Sequence, residues 1–153
     1  MTGFQAKDPD FEARVRSSFE RQGIMGHIGA TLDAVAPGYC EISLGYKPEL
    51  SQQHGYFHGG IIGTIADSAA GYAGYSLMPA ESSVLTVEYK LNLMSPAEGE
   101  VLIARGHVIR PGRTLVITRA DVSIVRDGND KLCATLLQTL MCMKDFPDKP
   151  GVY

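Results

Sequence analysis

The stretch at residues 52–77, QQHGYFHGGIIGTIADSAAGYAGYSL, decides how this chain is read. Gly59 and Gly60 open a long apolar run that contains no Lys or Arg, and one carboxylate, Asp67, sits in its middle. The run has helical length, its side chains are mostly small, and Pro79 supplies a stop. An acid in such surroundings is neutralised, paired or put to use, because burying an ionised group is costly. Its nearest local partners would be Ser68 and Thr64. Gly63, Gly71 and Gly74 each cost roughly 1 kcal/mol of helix propensity against Ala. Their presence predicts a helix whose backbone is approached closely by strands.

Upstream, Asp8-Pro9-Asp10 reads as a helix start, with Asp8 as N-cap and Pro9 at the first helical position. Phe11, Val15 and Phe19 recur every four residues, which gives a short amphipathic helix ending near Gly23 to Gly26. Arg14, Glu20 and Arg21 fall on its solvated face. Residues 27–36 and 39–46 flank Pro37-Gly38 and predict a hairpin, followed by a polar loop at 47–57.

Downstream, four strand-like runs cover 84–94, 101–109, 114–125 and 131–143, with turn signals at 96–99, Pro111-Gly112 and Asp127-Gly128. Alternation in the first run puts Leu85, Val87, Tyr89, Leu91 and Leu93 on one face, and Thr86, Glu88, Lys90 and Asn92 on the other. In the third run Val116, Ala120, Val122 and Ile124 share a face; in the last, Leu132, Ala134, Leu136 and Leu140 do. The tail at 145–153 reads as loose. The order is two strands, one long helix, four strands. It predicts a single α+β domain over 1–153 with its core at about 27–144. A six-stranded antiparallel sheet curls around one long central helix, and a short N-terminal helix precedes it.

Composition narrows the function. With 153 residues, 44% hydrophobic and 20% charged, the chain suits a soluble globular domain. A net charge of −3 gives nucleic-acid binding no electrostatic support. The N-terminal segment is polar, so no signal peptide is expected. Cys40, Cys133 and Cys142 are odd in number and lack CxxC spacing, which suits small core residues in a reducing, cytoplasmic setting. Residues 59–77 approach the length of a membrane span, yet they carry Asp67 and are rich in Gly and Ala, so no membrane role is expected. His54 and His58 lie in a Gly-containing loop without a third ligand nearby, so no metal is expected. No GxSxG elbow and no dinucleotide fingerprint occurs.

Gln52, Gly55, the triplet His58-Gly59-Gly60, and Asp67 nine residues after His58 together resemble the signature of hotdog-fold acyl-CoA thioesterases, in particular the phenylacetate-pathway-type (PaaI-like) branch. The resemblance extends over most of the chain, because the strand–helix–strand order also fits. It implies the hotdog fold and hydrolysis of acyl-CoA thioesters to free acid and CoA. In the family's pattern Asp67 is the general base or nucleophile, and the Gly59 N–H polarises the thioester carbonyl. Gln52 orients the water or the acid, and His58 supports the loop or the carbonyl. Gly60, Tyr56 and Phe57 would border the substrate, with Tyr72, Tyr75 and Met78 as further candidates for the pocket wall. Arg110 and Arg113 would meet the CoA phosphates, Arg being suited to them by its fork of donors.

The resemblance also implies a homodimer with two sites at its interface, or a tetramer of two such dimers, and no cofactor. In the family that the motif resembles, several members carry Ser or Thr four residues after the acid, where this chain has Gly71. Two other readings share the fold: a non-catalytic acyl-CoA-binding module, and an enoyl-CoA hydratase or dehydratase using His58.

Overall fold

The computed structural model describes residues 3–146 and 148–149. Helices α1 (Phe11–Glu20) and α2 (Gly23–Ile28) lead into strands β1 (Ala30–Ala36) and β2 (Tyr39–Gly45). A 3₁₀ turn at Pro48–Leu50 precedes helix α3 (Gly59–Tyr75). Strands β3 (Ser82–Leu93), β4 (Val101–Pro111), β5 (Leu115–Arg126) and β6 (Asn129–Lys144) complete the chain. The six strands form one antiparallel sheet in the order β1-β2-β4-β5-β6-β3. It curls around α3, whose Ile65, Ala66, Ala69, Ala70, Ala73 and Tyr75 are fully buried. This is the hotdog arrangement that the residue pattern implies.

Helix and sheet touch backbone to backbone at Gly106. A Cβ on Gly106 of β4 would collide with the Ala69 carbonyl of α3. Of the three helix glycines, Gly74 is closed in by Leu140, and Gly63 faces Leu91 and Tyr89 at contact distance. Gly71 departs from expectation: a Cβ there would meet nothing within 4 Å.

The N-terminal region also differs from its sequence reading. Helix α1 begins at Phe11, because the Asp8 carboxylate accepts the Asp10 N–H at 2.9 Å and forms a turn before the helix. Arg14 is not solvated. Its Nε pairs with buried Asp8 at 2.8 Å, Nη2 donates to the Met78 carbonyl at 2.9 Å, and the guanidinium lies 4.1 Å from the Tyr75 ring centre. It thereby ties α1 to the C-terminal end of α3, where carbonyls lack helical partners. Residues 27 and 28 belong to α2 rather than to a strand, and Gly29, at φ 80°, ends that helix in the left-handed region. The tail is held in part: Asp148 pairs with Arg21 at 2.8 Å, while Pro147 and residues 150–153 lie outside the described residues.

Two β-bulges overturn the simple alternation. In β3, Thr86 pairs with Leu140 but Glu88 pairs with Thr139, which leaves Val87 as an extra residue. Val84 and Thr86 therefore share the helix-facing side with Tyr89, Leu91 and Leu93, and Leu85 and Val87 leave it. In β6, Val122 pairs with Ala134 but Ser123 pairs with Leu132, which leaves Cys133 extra. Cys133 and Ala134 are both buried, and Leu132 turns outward to 44% exposure. All three cysteines are free and buried.

Candidate active site

The start of α3 is built by the loop before it. Gln52 N donates to the Tyr56 carbonyl and Gly55 N to the Gln52 carbonyl, both at 2.9 Å, while the Gln52 side-chain oxygen accepts from His54 N. Gly55 sits at φ 81°, which this turn requires. His58 is the N-cap of α3, and its Nδ1 accepts the Gly60 N–H at 2.9 Å. The His58 carbonyl accepts from Ile61 and Ile62 at 3.0 and 3.1 Å. Among the described residues, no acceptor engages the Gly59 N–H. The first turn thus keeps one donor for an outside oxygen, at the positive end of the helix dipole. Gln52, Tyr56, Phe57 and Gly59 share a cavity of about 400 Å³ with Ile62, Leu93 and Met94. Phe57 itself is buried and packs edge-on against Tyr46 at 5.3 Å, so most of its ring belongs to the core.

Asp67 lies two turns further along, on the same face of α3 as Gly59 and Gly63. It bonds neither Ser68 nor Thr64; those hydroxyls go to Gln22 and the Gly60 carbonyl. Its Oδ1 accepts from Thr86 Oγ1 at 2.7 Å and from Gln138 Nε2. Gln138 Nε2 also lies 3.1 Å from Thr86 Oγ1, and its Oε1 accepts from Thr118 at 3.0 Å. Gln138 and Thr118 are buried, so this network is fixed within the sheet. Among the described residues, nothing bonds Oδ2. Partial burial pushes the Asp67 carboxyl above its ordinary range, and the Thr86 and Gln138 hydrogen bonds partly offset that rise. A half-buried acid with one oxygen anchored and the other open suits proton transfer or attack at a carbonyl.

Within one protomer, Asp67 and Gly59 do not meet. Eight residues at 1.5 Å of helical rise separate them by about 12 Å. They also line different cavities, since Asp67 borders one of about 100 Å³ with Gln22, Ser68, Gly71, Tyr72, Val84 and Thr86. Arg110 stands near the end of β4 and Arg113 in the β4–β5 turn, and no ion pair holds either among the described residues. Arg113 borders a third cavity, of about 60 Å³, together with Lys7 and Lys144.

Sequence reasoning missed Thr86 and Gln138. Thr86 falls on the polar face until the Val87 bulge is known. Gln138 carried a visible signal: it continues the alternation of Ala134 and Leu136 into Leu140, a polar side chain in an apolar stripe.

A family model described as the thioesterase superfamily matches residues 54–134. A solved thioesterase family protein from Silicibacter pomeroyi is 46% identical, covers 88% of this chain and 98% of its own, and superposes with a TM-score of 0.86. Acyl-coenzyme A thioesterase 13 of Homo sapiens is 31% identical over 109 residues, which is 69% of this chain and 73% of that protein. The PaaI protein from the phenylacetic acid degradation operon of E. coli shares the fold at a TM-score of 0.77 and 16% identity, over 86% of this chain and 92% of its own. The chain therefore belongs to the thioesterase superfamily, and its chemistry is that of a thioester hydrolase.

Proposed function

We propose that the protein hydrolyses acyl-CoA thioesters at sites shared between two copies of the chain. The observation that carries this reading is the separation of Asp67 from the free Gly59 N–H by about 12 Å along one face of α3. That face looks onto β3, which ends the sheet and pairs only with β6 among the described residues. Thr86 marks the Asp67 end of β3, through its hydrogen bond. Leu93 marks the other end, 2.8 Å from where a Gly59 Cβ would stand. Antiparallel pairing of β3 with a second β3, Thr86 opposite Leu93, carries each Asp67 to the partner's Gly59.

In such a site the Gly59 N–H holds the thioester oxygen and stabilises the charge that grows there. Asp67 takes a proton from water as it attacks the carbonyl carbon, or attacks that carbon itself to give a mixed anhydride that water then hydrolyses. The C–S bond breaks, the thiolate takes up a proton, and free acid and CoA leave. Gln52 borders the Gly59 cavity and orients water from there. His58 acts by capping: by occupying the Gly60 N–H, it leaves the neighbouring amide for the substrate. Gly60 is thus a geometric rather than a contacting residue, and Tyr56 forms part of the wall. Arg110 and Arg113, with Lys7 and Lys144 beside Arg113, meet the CoA phosphates.

Thiol release from acyl-CoAs by wild type, Asp67→Asn and Gly59→Pro tests the assignment. Proline is tolerated at the first helical position and removes the N–H, while its Cβ displaces the flexible end of Leu93, as Gly59→Ala would with the N–H kept. His58 already has the extended backbone that a following proline demands, φ −64° and ψ 139°. Both variants are expected to fold and to lose turnover by at least about a hundredfold. Full activity in Gly59→Pro overturns the carbonyl-clamp role. Undiminished turnover in Asp67→Asn overturns the mechanism. Binding of acyl-CoA without turnover by wild type identifies the non-catalytic module instead.

A further inference from the structure

The cavity beside Asp67 has polar side chains, Gln22, Ser68 and Tyr72, that thioester cleavage does not use. Its wall comes from Gln22 at the α1–α2 junction, Ser68 and Tyr72 of α3, and Val84 and Thr86 of β3, with Gly71 leaving the helix bare. Gln22 Nε2 donates to the Tyr72 hydroxyl at 2.7 Å, and the Ser68 hydroxyl donates to Gln22 Oε1 at 3.3 Å. The Tyr72 hydroxyl donates onward to Ser18 at 3.2 Å. An amide carries two N–H groups, and among the described residues one from Gln22 is unspent. Ser68 retains a lone pair. Val84 is the one aliphatic side chain on the wall. An alkyl tail would gain little here, while a hydroxyl finds both a donor and an acceptor.

Resting on the thioesterase reading, we infer that the acyl group cleaved carries a hydroxyl close to its carbonyl, since this polar cavity borders Asp67. Gln22 donates to that hydroxyl and Ser68 accepts from it, and Gly71 gives the space in which it sits.

The test is kcat/KM for 3-hydroxybutyryl-, butyryl-, octanoyl- and phenylacetyl-CoA, measured by thiol release with wild type, Gln22→Leu and Ser68→Ala. Wild type is expected to favour 3-hydroxybutyryl- over butyryl-CoA by about tenfold, the scale of one or two hydrogen bonds. Each variant is expected to bring that ratio towards one, a readout that general loss of structure would not produce. If octanoyl- or phenylacetyl-CoA is the best substrate, the acyl assignment falls and the thioesterase reading stands. A preference that survives both substitutions overturns it equally. If wild type releases no thiol from any of the four, both fall together.

Discussion

At the scale of single residues, the balance of forces on Asp67 decides how tightly it holds its proton. Burial raises its pKa, and the hydrogen bonds from Thr86 and Gln138 pull the other way without cancelling the rise. The folded state thus holds the Asp67 proton more tightly than the unfolded chain does. The resulting stabilisation is fully present below the ordinary carboxylate value, about 4, and is lost as pH climbs through the raised folded value. Asn keeps the acceptor oxygen for both donors and never ionises. Asp67→Asn is therefore expected to melt about 3 °C above wild type at neutral pH, with the gap closing in acid. Paired melting curves at pH 4 and pH 7.5 check this. The same shift predicts that the acid limb of wild-type turnover lies above the usual Asp range, since only the carboxylate accepts a proton. Asp67 was legible because it is the one charge in a run of small residues. Its two hydrogen-bond donors come from strands 19 and 71 positions further on, where local spacing carries no information about them.

At the scale of elements, strand count, helix and order were legible because hydrophobic period and turn residues both report them. Bulges were not, because one inserted residue leaves each half of a strand looking regular while reversing the relation between the halves. That is why Thr86 and Leu132 were assigned to the wrong faces. The glycines teach a related lesson. A helix glycine signals either a close neighbour or an empty space, and only coordinates tell which. Gly71 faces open space, so Gly71→Ala gains helix propensity and is expected to raise the melting temperature by a few degrees. It also fills part of the Asp67 cavity, so turnover should fall even as stability rises. Gly106→Ala must push β4 away from the Ala69 carbonyl and is expected to cost more than about 2 kcal/mol, read as a lower midpoint in urea. The opposite signs distinguish the two uses of glycine in one measurement series.

At the scale of the whole molecule, the sheet leaves an unfinished edge. Strand β3 exposes Leu85, Val87, Tyr89 and Leu93 by 43% to 56% along its edge, with Glu88 and Lys90 as its charges. Pairing with a second copy would cover it and complete two sites at once. A shared site makes a quantitative demand that a site within one protomer does not. On the shared-site proposal, Asp67→Asn and Gly59→Pro are each expected to be inactive as homodimers. When the two are unfolded together in equal amounts and refolded, about half of the dimers should be mixed. Each mixed dimer has one site with both lesions and one with neither, because intact Asp67 and intact Gly59 come from different chains. Turnover should therefore recover to about a quarter of wild type, as measured by thiol release per chain after mixing. A protein whose Asp67 and Gly59 act within one chain would recover nothing under the same treatment. Tyr89→Asp, placed near the centre of the proposed β3 pairing, should set a carboxylate into that seam and abolish the recovery by separating the protomers, with light scattering reporting the fall in mass.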